Sequence, residues 1–139
     1  MFAFCTFSLA CSCIPESTLE ESLNEHDFIF VGQCLIGEAK IEKDSNSQDR
    51  HIVNWTFEVQ SSLKGLTEKK RVVIQTGIGF GDCGYQFKLG MSYLVFGHFE
   101  HDKLTTNICT PTKFVGFYPS KIEEKVAKEI KAINDLLKK

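Results

Sequence analysis

Two cysteines one residue apart, in Cys11-Ser12-Cys13-Ile14-Pro15, constrain this chain more than any other feature. Either cysteine can pin the segment to the rest of the fold through a disulfide. The motif follows a short apolar leader ending Ser8-Leu9-Ala10, whose small residues at 8 and 10 fit the pattern that signal peptidase cuts after. Cleavage there makes Cys11 the first residue of the mature protein. Its free α-amine and carbonyl then sit side by side, able to face a metal together. Residues 1–10 lack Lys and Arg and are shorter than a complete signal peptide, so the leader reads as truncated. Two other readings stay open: Leu9-Ala10-Cys11 as a lipoprotein site that acylates Cys11, and residues 1–10 as a buried first strand.

Cysteines stand at 5, 11, 13, 34, 83 and 109. That density in a small exported chain points to disulfides. Loss of the leader removes Cys5, and two bridges among the remaining five leave one thiol over. With 139 residues, the mature segment 11–139 has the size of a single domain. A formal net charge of -2 argues against nucleic acid as a partner. No run is long enough to cross a bilayer, so membrane contact is expected only through a lipid on Cys11.

The pattern along the chain predicts a mainly β fold. Ser17 and Glu20 are spaced as a capping box for a short helix over residues 17–23. Residues 27–41 read as a long first strand opening on Phe28-Ile29-Phe30-Val31-Gly32, and the polar stretch 42–50 as an exposed loop. Alternation marks residues 53–63 as a second strand, 71–76 as a third, and 91–99 with 103–109 as a hairpin turning at His101-Asp102. A glycine-rich connection spans 77–84. Residues 120–138 read as an amphipathic helix. Ser120 and Glu123 form its capping box, Ile122, Val126, Ile130, Ile133 and Leu137 its apolar stripe, and its last turn is basic. Five strands with a helix at each end predict a five-stranded, OB-type closed barrel.

The order of these motifs resembles the N-terminal, netrin-like (NTR) domain of the tissue inhibitors of metalloproteinases (TIMP), as a single-domain microbial type. The resemblance rests on Cys11-Ser12-Cys13-Ile14-Pro15, the Phe28 to Gly32 block, Phe57-Glu58-Val59 with Leu63-Lys64-Gly65, and Gly81-Asp82-Cys83-Gly84-Tyr85. It continues through Tyr93-Leu94-Val95-Phe96-Gly97 and Leu104 to Cys109, covering the chain from Cys11 to about Thr112. Four cysteines allow three connectivities. The resemblance implies Cys11 bonded to Cys83 and Cys13 to Cys109. It also implies a function: the Cys11 amine and carbonyl chelate the catalytic zinc of a metalloendopeptidase in trans, displacing its water. Ser12 then enters the primary specificity pocket, Ile14 and Pro15 extend the wedge, and Gly81 and Asp82 lie beside it. The chain departs from the family in lacking the third bridge and the second cysteine-rich domain, in leaving Cys34 without a partner, and in its modest 42–50 loop.

The resulting expectation is a secreted, extracellular or periplasmic monomer that inhibits a zinc endopeptidase, with no cofactor of its own and no enzymatic activity. The alternative is a non-inhibitory extracellular or envelope-anchored protein-binding module on the same fold. Other constellations weigh less. His98, Glu100, His101 and Asp102 cluster around a turn as candidate metal ligands. The 77–84 glycines lack the following helix that a phosphate site requires. A thiol redox protein using Cys11, Cys13 and Cys34 is a third reading, against which Cys34 reads as a buried core thiol.

Overall fold

The computed structural model describes residues 13, 18–66, 70–79 and 82–138. The expected site residues Cys11, Ser12, Ile14, Pro15 and Gly81 lie outside these, as do the leader and Ser17. The described elements run α1 (Leu19–Glu25), β1 (Phe28–Lys43), β2 (Asp49–Lys64), β3 (Arg71–Gly77), β4 (Ser92–Glu100), β5 (Lys103–Thr105), β6 (Lys113–Phe117), β7 (Lys121–Ile122) and α2 (Glu124–Leu137). The fold is mainly β. Its sheet order is β1-β2-β3-β5-β4-β6-β7, and a further β1–β4 pairing joins the first five strands into a ring. Within the ring only β3–β5 is parallel.

The two densest apolar runs explain how the ring is covered. A strand buried on one face alternates apolar and polar residues, whereas one buried on both reads as a continuous apolar run. Phe28 and Phe30 on β1, with Tyr93 and Val95 on β4, join Trp55, Phe57, Ile74 and Phe87 in one core cluster. Their neighbours Ile29, Val31, Leu94 and Phe96 point the other way, onto Leu23 of α1 and Val126, Ile130 and Ile133 of α2. The helices therefore cap the outer face where β1 and β4 meet. Gly97 on β4 allows a close approach: a Cβ there would run into the Phe28 ring and the Thr105 carbonyl.

Several sequence expectations change. Residues 42–50 are not a loop: β1 runs to Lys43, β2 restarts at Asp49, and only 44–48 turn. Both faces of this ribbon are wet, so its strand residues are as polar as a loop's. The 103–109 strand stops at Thr105, and β6 and β7 are additional. The N-cap of α1 is Thr18, whose Oγ1 accepts the Glu21 N–H at 3.2 Å while Glu21 Oε1 accepts the Thr18 N–H at 2.9 Å. This box lies one residue beyond the predicted spacing. The Ser120–Glu123 box does not form, because residues 118–120 turn the β6–β7 hairpin and Ser120 Oγ is directed to the Phe117 carbonyl at 3.5 Å. Consequently α2 starts at Glu124 without a side-chain cap, Ile122 lies on β7, and the last helical turn carries no basic residue.

The C-terminus of α1 is held by Lys64, whose Nζ donates to the carbonyls of Leu23 and His26. His26 itself is only 6% exposed, donates from Nδ1 to the Ser22 carbonyl at 2.7 Å, and lies 4.9 Å from the His98 ring. Burial pulls its pKa below the usual histidine value; the Ser22 hydrogen bond opposes this, and His98 reinforces it. The unfolded chain therefore binds a proton that the folded chain resists, so stability rises with pH up to about 6.5 and is level above it. Urea unfolding midpoints should fall between about pH 7 and pH 5. In His26→Leu that slope should shrink; an undiminished slope would assign the acid sensitivity to other groups.

Candidate functional site

Cys13 is disulfide-bonded to Cys109, with their Cα atoms 5.2 Å apart and a sequence separation of 96. The chain just ahead of α1 is thereby tied to the segment after β5. Cys83 is also disulfide-bonded. The Ile108 N–H donates to the Cys83 carbonyl at 3.0 Å, so the segments carrying half-cystines 83 and 109 touch through the backbone. This pairing removes Cys13 from the three thiols of the redox reading.

The loop ahead of Cys83 is organised by Asp82. Its carboxylate accepts the N–H groups of Ile78 at 2.8 Å, Gly79 at 2.9 Å and Gly84 at 3.0 Å. Partial burial raises the pKa of this acid, but the hydrogen bonds from Gly79, Ile78 and Gly84 outweigh it, and the net value lies below the ordinary aspartate range. The glycines answer a packing need rather than a phosphate. A Cβ on Gly77 would overlap the Asp82 carboxylate, and one on Gly84 would meet the Gly77 carbonyl. Cys83 takes a positive φ of 62°, a conformation that L residues other than Gly, Asn and Asp seldom adopt. The tightly wound loop fixes its backbone there.

On the other side, Cys109 donates its N–H to Asn107 Oδ1 at 2.8 Å. Thr106, Thr110 and Thr112 form a hydroxyl cluster, and Thr106 Oγ1 and Thr112 Oγ1 both reach the carbonyl of Phe96 on β4. The segment that carries Cys109 is thus pinned to β4. Beside them lies a cavity of about 420 Å³ lined by Gly84, Tyr85, Gln86, Lys88, Tyr93, Ile108 and Phe114. Ile108 and Phe114 are each 49% exposed at its rim. Sequence reasoning missed this cavity. The signal available was the alternation of Tyr85 and Phe87, whose rings stack 4.4 Å apart under it.

The candidate metal ligands around His101, weighed above as a lesser reading, do not converge on one point. His98 turns toward Asp27, 3.8 Å away, and Glu100 accepts from Thr105. Among the described residues no group of three His, Cys, Asp or Glu is arranged to hold a metal ion. Cys34 is fully buried, and burial pushes its thiol up to about 11, so it forms little thiolate and acts as core. No described helix is long and apolar enough to cross a membrane. No protein-family model matches this chain, and no curated protein matches it.

Proposed function

We propose that the mature protein is a secreted inhibitor of a zinc metalloendopeptidase, acting through the amine and carbonyl of Cys11 on a TIMP-like, closed OB-type barrel. One observation carries the reading: Cys13 is bonded to Cys109 while the Ile108 N–H holds the disulfide-bonded Cys83 alongside. An N-terminal tripeptide tied at both half-cystines would emerge at this joint already ordered, which spares the entropy of ordering it on binding. A Cys11–Cys83 bridge completes that arrangement in the proposed mechanism.

The chemistry follows from the terminus. The amine and carbonyl of Cys11 close a five-membered chelate with the protease's zinc, taking the position its water occupies. Chelation needs the neutral amine, whose ordinary pKa of about 7.7–8.0 is readily passed on metal coordination. Ser12 offers a small hydroxyl to the specificity pocket, Pro15 stiffens the chain after Ile14, and Gly81 and Asp82 flank the wedge. The carboxylate of Asp82 is engaged by three backbone N–H groups, which suits it to shaping the loop rather than to proton transfer.

The test compares protein beginning at unmodified Cys11 with the same protein carrying one extra alanine ahead of it, against a panel of zinc endopeptidases. The added residue should weaken inhibition at least about a hundredfold, or about 2.7 kcal/mol. Ser12→Arg should do the same with an unchanged thermal midpoint. Equal inhibition by the extended protein defeats the chelation mechanism. A leader retained or a lipid on Cys11 in the exported form removes the amine, leaving a binding module on the same fold.

A further inference from the structure

Among the described residues, the ribbon that replaces the expected 42–50 loop leaves one long strand edge open. Up to Gln33, β1 is paired on both sides, with β2 and with β4. The β4 side closes at Cys34, whose N–H donates to the Met91 carbonyl and whose carbonyl accepts from Gly90. Beyond that point, among the described residues, β1 pairs with β2 alone, from Ile36 to Lys43. The direction of the spare backbone groups follows from the turn. The Asp44 N–H donates to the Gln48 carbonyl, and antiparallel ladders alternate bonded and non-bonded pairs. Glu42, Lys40 and Glu38 therefore bond to Arg50, Ile52 and Asn54 of β2. Gly37, Ala39, Ile41 and Lys43 turn their N–H and C=O groups outward. Such an edge is a template for another strand.

We propose that this edge pairs antiparallel with the same edge of a second copy of the chain, about a two-fold axis at Ile41. The side chains select the partner and the register. With Ile41 on the axis, Lys40 of each copy faces Glu42 of the other, and Ile41, 61% exposed, meets its counterpart. Shifting the axis to Lys40 would set Lys40 against Lys40 and Glu38 against Glu42. Shifting it to Ala39 would send the partner's Asp44 into the place that Met91 holds beside Cys34. In the Ile41 register the outward groups of Ala39, Ile41 and Lys43 are all matched. Glu42 already holds Lys103 at 2.7 Å, so the facing Lys40 completes a three-charge chain across the interface. Neither Glu38 nor Lys40 has an ion-pair partner among the described residues, so the pairing displaces none. Asp44, which would approach Glu38, has its carboxylate oxygen tied to the N–H groups of Asn46 and Gln48. An interface this short falls below the roughly 1,200 Å² of stable complexes, so the dimer is weak and dissociates on dilution.

The experiment uses the full chain and two charge variants, Lys40→Glu and Glu42→Lys, in sedimentation velocity at low salt. Wild type should shift from monomer to dimer as concentration rises. Each variant alone sets like charges face to face and should associate roughly tenfold or more weakly. An equimolar mixture restores opposite charges at both positions and should recover the dimer. Oxidation of Ile41→Cys should cross-link copies faster than oxidation of Lys40→Cys. Circular dichroism confirms that each variant keeps its β signature. A wild type monomeric at every concentration, a mixture no better than its parts, or equal cross-linking at 40 and 41 overturns the proposal.

Discussion

Replacing Phe57 with alanine is expected to lower the unfolding free energy by about 3–5 kcal/mol, the range for a buried aromatic deleted from a close-packed core. Phe57 is fully buried. Its ring meets those of Phe30 at 5.6 Å, Phe87 at 4.9 Å and Tyr93 at 6.4 Å, each edge-on. Edge-to-face pairs contribute beyond the area they bury, and three of them are lost together. The strands around the void are bonded to one another in a ring, so the site collapses poorly and most of the cavity cost remains. Against a total stability of about 5–15 kcal/mol, that loss brings the protein close to unfolding at ordinary temperature. Urea denaturation measures it, with Val73→Ala as the control. Val73 is 50% exposed on β3, and its truncation should cost no more than about 0.5 kcal/mol. A Phe57→Ala loss below about 1 kcal/mol would mean that the aromatic cluster is not where this fold keeps its stability.

The same cluster marks how far the sequence could be read. Phe28 to Val31 and Tyr93 to Phe96 announce strands buried on both faces because eight apolar residues in two short runs have no other economical place to go. The β character of 53–63 and 71–76 was equally plain, since alternation in a half-buried strand is a direct image of the pleat. Polarity misled where burial was absent. The end of the ribbon, residues 42–50, holds its ladder by backbone hydrogen bonds that leave no trace in hydropathy, so Lys43 and Asp49 looked like loop. Capping signals were ambiguous in a different way. Ser17 and Glu20, Thr18 and Glu21, and Ser120 and Glu123 all carry the box spacing, and local chemistry could not rank them. The β6–β7 hairpin decides the last case by claiming Ser120 for its turn and Ile122 for its strand. In the candidate site, the glycines of 77–84 were visible but their purpose was not. The structure supplies the reasons: Gly77 makes room for Asp82, Gly79 for Gln86, and Gly84 for the Gly77 carbonyl.

Removing the Cys13–Cys109 bridge, as the double variant Cys13→Ala with Cys109→Ala, is expected to cost about 2–4 kcal/mol. The residues are 96 apart in sequence, so the bond shortens the unfolded chain's freedom over most of its length. The hydrogen bonds around it do not depend on sulfur: Ile108 to Cys83, and the Thr106–Thr112 cluster to Phe96, persist in the variant. The ring of strands should therefore keep its β signature while its unfolding midpoint drops. The segment ahead of Thr18 loses its attachment to residue 109. If inhibition comes from an N-terminus ordered in advance, it should weaken far more than the stability loss alone explains at a temperature where the variant is still folded. Cys34→Ala separates the two effects, because it removes a buried thiol without touching the N-terminal tether. Loss of inhibition in the bridge variant, with retention in Cys34→Ala, would tie the activity to the tether. Inhibition that survives in both would place the binding surface elsewhere on the domain, and the Cys-x-Cys motif would then be a staple and nothing more.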